Sequence, residues 1–134
     1  MRSLKFALVL SLLASLPAGA ASDDRPYDEK LLKLSEILGA IHYLRELCGA
    51  NDGQAWRDEM QGLIGSEGTS PLRKANLAAS FNKGYRSYRR TYQSCTKSAE
   101  TAIERFLDEG ATLADEIVTP LGKADEKAKT ASSP

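Results

Sequence analysis

Between Leu31 and Cys48 the apolar residues return at steps of three and four: Leu31, Leu34, Leu38, Ile41, Leu44, then Cys48. That step marks one face of an α-helix, and no stretch of the chain reads convincingly as a strand. Leu32, Ile37 and Leu47 widen the face to the breadth a core helix needs. The spacing predicts a helix over 27–48, stopped by Gly49, where a helix commonly turns left-handed.

Three further segments keep the helical step. Asn51 reads as a cap, with Gln54 in capping-box position, for a short helix over 52–64 whose stripe is Trp56, Met60 and Ile64. Gly62, Gly65 and Gly68 loosen the chain at its end, so 65–69 is predicted as a loop. Ser70-Pro71 pairs a cap residue with proline at the first helical position and starts a third helix, expected to reach about Ser94. Its stripe is Leu77, Phe81, Tyr85, Tyr88, Tyr92 and Cys95. Gly84 interrupts it at about 1 kcal/mol relative to alanine, and would let a neighbouring helix or a ligand come close. A fourth helix is expected from near Ser98 to Val118, able to bend at Gly110 and ended by Thr119-Pro120.

Four amphipathic segments with short connections predict an all-α fold, a small four-helix up-down bundle over 27–119. Residues 22–26 are expected as a mobile lead-in. No large apolar residue follows Leu121, so 120–134 is expected to be a disordered tail.

The first residues differ from the rest. Arg2 and Lys5 precede an apolar run over 6–16, Pro17 breaks it, and Ala18-Gly19-Ala20 offers small side chains for cleavage. This order predicts a cleavable signal peptide over 1–21. A run of that length rises only about 16 Å, against roughly 30 Å for a membrane core, so it is not read as an anchor. No cysteine lies at the cleavage site, and no other stretch could span a membrane.

Export makes the cysteine count informative. Cys48 and Cys95 both survive cleavage, and an oxidising compartment would pair them. The first and third helices of an up-down bundle run parallel, so the two cysteines fall at the same end. A bridge there closes a loop of about 48 residues, worth roughly 4 kcal/mol by chain entropy. Cleavage removes Arg2 and Lys5 and leaves 16 basic against 18 acidic residues, a net charge of −2. That balance argues against a nucleic-acid binder.

No chemistry is spelled out. His42 is the only histidine and lies about 240° around the helix from Cys48, so the two form no nucleophile–base pair. It is read as a packed or rim histidine. Glu104 with Asp108, and Asp24 with Asp28, have the spacing of ordinary solvated helix faces, and a glycan-cleaving carboxylate pair is the less favoured reading. Gly62, Gly65 and Gly68 lack the lysine and hydroxyl residue of a phosphate loop. Two cysteines and one histidine fall short of a structural zinc site. No cofactor, metal or catalytic residue is expected.

The third helix is the most suggestive segment. Lys83, Arg86, Arg89, Arg90 and Lys97 crowd a region that also holds Tyr85, Tyr88 and Tyr92. One reading is a solvated basic face over a tyrosine-lined core. The other is a docking surface for an anionic partner: an acidic protein, an anionic glycan or lipid headgroups. Candidate partner-binding residues are Lys83, Gly84, Tyr85, Arg86, Tyr88, Arg89 and Arg90.

Leu44-Arg45-Glu46-Leu47-Cys48-Gly49, Trp56-Arg57-Asp58-Glu59-Met60, Phe81-Asn82-Lys83-Gly84-Tyr85-Arg86 and Thr91-Tyr92-Gln93-Ser94-Cys95 together resemble a family of small exported alphaproteobacterial proteins, catalogued as a domain of unknown function. The likeness runs from about Tyr27 to Leu113. It implies a Gram-negative periplasmic setting and a paired-cysteine helical domain, and supplies no catalytic residues. The leading expectation is therefore a non-enzymatic periplasmic protein that binds or regulates an envelope protein partner. The alternative is a binder of a small ligand or anionic envelope polymer through the Tyr/Arg helix, in a groove beside Gly84.

Overall fold

The computed structural model describes residues 23–132. The predicted signal segment lies outside the described residues. Four helices follow in order: α1 (Asp28–Leu47), α2 (Gly53–Glu67), α3 (Pro71–Thr91) and α4 (Lys97–Ala131). The fold is all-α, with the four helices packed together and Cys48 bonded to Cys95. Among the described residues no helix is long and apolar enough to cross a membrane.

Helix α1 is the central element. It packs on α3, α4 and α2, and α2 also meets α3. Cross-links fix the directions. Asp28 pairs with Arg73, Glu36 with Lys83, and Cys48 with Cys95, so α1 and α3 run parallel. Lys30 pairs with Glu116 and Lys33 with Glu109, so α4 runs antiparallel to α1. Ile37, Ala40, Ile41 and Leu44 of α1 pack with Ala99, Ala102, Ile103 and Phe106 of α4 in one buried cluster. Leu31, Met60, Leu77 and Ile117 form a second cluster, to which every helix contributes.

The α1–α3 approach is set by two glycines. A Cβ built on Gly39 would lie 1.9 Å from the Phe81 carbonyl oxygen, and one on Gly84 would lie 1.9 Å from that of Glu36. Both distances are far inside van der Waals contact, so only glycine lets these backbones meet. The close neighbour foreseen at Gly84 is a helix.

The helix ends show where tertiary contacts override local patterns. Gly49 takes the left-handed turn expected of it, with φ 77°. Asn51 does not cap α2. It is left-handed as well, at φ 52°, and Asp52 stands at the N-cap with its carboxylate bound by Arg45 instead of the helix. Gln54 donates to Asp58 at 2.8 Å and does not reach back. Helix α2 continues through Gly65 to Glu67, past the predicted stop at Ile64. Its last carboxylate is drawn into a cluster, 3.0 Å from Arg25 and 3.4 Å from Arg73, and that anchor holds the extra turn.

Residues 23–26, expected to be a mobile lead-in, are tied to the same junction. Thr69 donates to Asp23 at 2.8 Å, and Arg25 donates to Tyr27 and to Glu67 at 3.0 Å each. Ser70 caps α3 as predicted, accepting from the Arg73 N–H at 3.2 Å. Helix α3 stops at Thr91, short of Ser94, because Tyr92 turns extended and its carbonyl accepts the Tyr43 hydroxyl at 2.6 Å. The strand-like step swings Cys95 towards Cys48. Thr96 then caps α4.

Helix α4 does not end at Thr119-Pro120. It runs through Pro120 to Ala131, in place of the expected disordered tail. Pro120 removes one backbone donor, which costs roughly 3 kcal/mol in a helix interior. The carbonyl left without that donor belongs to Glu116, an exposed residue open to water, and the residues after Pro120 are mostly alanine, lysine and acidic helix formers. Every residue from Val118 to Ser132 is exposed, so this extension leaves the packed part of the fold.

Candidate functional site: the outer face of α3

Helix α3 carries Arg73, Lys74, Lys83, Arg86, Arg89 and Arg90 and no acidic residue. Arg73 is buried and spent on structure. It bonds Asp28 at 2.6 Å and the Glu67 carbonyl at 2.6 Å. The bond to Asp28 holds that carboxyl below the usual carboxylate range.

The predicted partner-binding residues divide into a platform and a face. Gly84 is buried against α1, so the space beside it is filled by backbone and no groove opens there. Lys83 is exposed and paired with Glu36 at 3.0 Å. Tyr85 is half-buried between His42, at 5.4 Å, and Tyr43, at 5.4 Å edge-on. Tyr88 stacks on Tyr92 at 6.2 Å and meets Phe106 of α4 edge-on at 5.0 Å. Burial raises the Tyr88 phenol above its ordinary value, opposed by the Arg105 guanidinium. The tyrosines thus serve as packing under the basic residues.

Arg86, Arg89 and Arg90 are exposed, and none has a carboxylate partner among the described residues. Arg89 lies over the Tyr85 ring, its guanidinium carbon 6.0 Å from the centroid. Helical phase places these three opposite Gly84, on the side of α3 turned away from α1. Lys97 does not continue this stripe. It opens α4, beyond the break at Tyr92, and sits 3.6 Å from Glu100.

The residues read as structural fall where the pattern put them. His42 is only 3% exposed, stacked on Phe81 at 5.8 Å. Glu104 and Asp108 are exposed on α4. Among the described residues no group of three or more histidine, cysteine or acidic side chains could hold a metal. That Arg105 of α4 joins Tyr88 is not readable from spacing, because the pairing depends on how α4 crosses the bundle.

A family described as a protein of unknown function (DUF2385) matches residues 26–120, most of the chain. No curated protein and no solved structure matches it.

Proposed function

The chain belongs to that family, whose description assigns no activity, and we propose from its own surface that it is a non-enzymatic periplasmic protein that binds an acidic protein partner in cell-envelope maintenance. The observation that carries the reading is the set Arg86, Arg89 and Arg90, exposed and without carboxylate partners among the described residues, on a helix that has no acid of its own. Arginine is favoured at binding hot spots because its planar fork meets carboxylates bidentately. The face is also preorganised. The Gly39–Gly84 approach, the Tyr43–Tyr92 bond and the disulfide fix α3 on α1 along its length, so little ordering entropy is lost on docking. The Cys48–Cys95 bond supports an oxidising compartment, in keeping with the export pattern of residues 1–21.

Pull-down from periplasm with the wild type and with an Arg86→Glu/Arg90→Glu variant tests the reading. The variant should fold normally and lose the partner, and the purified wild-type complex should weaken with salt. Identical partner sets for both proteins would sink it. Capture of anionic vesicles or glycan in place of a protein would move the assignment to an envelope polymer on the same face.

A further inference from the structure

A second surface lies away from the α3 face. Helices α2 and α4 both pack on α1 but not on one another. Between them runs an open trough of about 520 Å³. Leu34 and Leu38, half-buried on α1, form part of its floor, Trp56 and Leu63 one wall, Leu107 and Ala111 the other. Leu107 is 38% exposed although it faces an apolar surface. Gly62, Gly110 and Ala114 also line the trough and keep its walls low. The α2 wall from Ala55 to Ser66 is about 16 Å long, the length of three helical turns.

The rim has one sign of charge. Glu59 lines the α2 side. On α4, Glu104, Asp108 and Asp115 lie next to Leu107 and Ala111 by helical phase, all exposed and none in an ion pair among the described residues. The nearby cations are already engaged: Arg45 by Asp52 and Lys30 by Glu116. An apolar floor between acidic edges complements an apolar stripe between cations.

We infer that the α2–α4 trough is a docking site for a basic amphipathic helix of a partner protein, laid along α1 with its apolar stripe against Leu34, Leu38 and Leu107 and its lysines or arginines at Glu59, Glu104 and Asp108. This is the helix-in-groove mode of recognition. The acidic rim disfavours fatty acids and anionic lipids. A second copy is disfavoured too, because among the described residues the exposed large apolar side chains besides Leu107 are Leu72, alone on α3, and Val118 and Leu121 at the projecting end of α4. The site is independent of the α3 reading and carries the opposite charge.

Trp56 is the only tryptophan and stands in the trough wall, so its emission reports occupancy. The purified protein is titrated with a synthetic helical peptide of leucine and lysine, about 18 residues long, with leucines at helical spacing. Saturable binding with a shift in Trp56 emission is expected. Leu107→Lys, and separately Glu59→Lys with Glu104→Lys, should each weaken it about tenfold or more, while Lys129→Gln, on the exposed far end of α4, leaves it unchanged. Leu107 is partly exposed, so its variant keeps the fold, as circular dichroism would show. The inference is overturned if a leucine–glutamate peptide binds equally well, if Leu107→Lys binds like wild type, or if Trp56 emission does not respond. It is overturned equally if sedimentation shows a dimer that Leu107→Lys dissolves, since a second copy then fills the trough.

Discussion

Gly39 and Gly84 sit across the α1–α3 contact from each other, each pressed on the partner helix's backbone. Added β-carbons would fall 1.9 Å from the carbonyls of Phe81 and Glu36. The atoms they would strike belong to the backbone, so no side chain can swing aside. Alanine at either position should force the helices apart and destabilise the fold by about 3 kcal/mol, the range of severe overpacking. Alanine at Gly62, which has open space around its Cβ position, should instead be neutral or stabilising by up to about 1 kcal/mol. Urea unfolding of the three variants checks both signs.

The disulfide joins the same two helices at their C-terminal ends, closing a separation of 47 residues. Replacing both cysteines by serine should cost roughly 4 kcal/mol, chiefly through a freer unfolded chain. The same loss should appear when the wild type is unfolded in reductant. Mass spectrometry without reductant should find the protein two hydrogens lighter than its dithiol form.

The helices and the cysteine pairing were legible because each rests on local periodicity or on chain order. Leu31, Ile41 and Leu44 of the predicted stripe are buried on α1, with Leu34 and Leu38 half-buried at its edge, and the parallel course of α1 and α3 brought Cys48 to Cys95. The misplaced ends of α2 and α3 are decided outside the helices' own periodicity, unlike the run of α4 through Pro120, whose residues 118–132 are all exposed. Asn51, Glu67 and Tyr92 are all decided by partners distant in sequence or by a turn: Asp52 taking the cap, Arg25 and Arg73 holding Glu67, Tyr43 capturing the Tyr92 carbonyl. The arginines of the α3 face were also visible, since a helix with six bases and no acid stands out in the sequence. The α2–α4 trough was not, because Leu107 falls off the main stripe of α4 and gains meaning only once α2 is seen to stand apart.

Acid should unfold the protein partly through one carboxylate. Arg73 bonds Asp28 at 2.6 Å and lowers its pKa. A carboxyl whose folded pKa lies below the unfolded value of about 3.9 adds stability at neutral pH. That contribution begins to fade near pH 4 to 5 and is gone once the pH falls through the folded pKa. Arg73→Met should remove this acid-side dependence. It should also cost about 3 kcal/mol at pH 7, because Asp28 and Glu67 lose a largely buried partner. Urea midpoints from pH 7 down to pH 3, for wild type and variant, separate the two effects.

The far end of α4 offers a test in which stability should not move. Residues 118–132 are exposed throughout, whereas Ile117, 7% exposed, belongs to the core with Leu31, Met60 and Leu77. A helix that buries no face gains little from packing, and an isolated stretch of this length is marginal in water. Ending the chain after Thr119 should therefore leave the urea midpoint unchanged to within about 0.5 kcal/mol. It should lower the helical circular dichroism only by the share of the missing turns. Ile117→Ala in the full chain should cost about 2 to 4 kcal/mol. A truncation that destabilised the protein as much as Ile117→Ala would mean that the extension packs on the bundle.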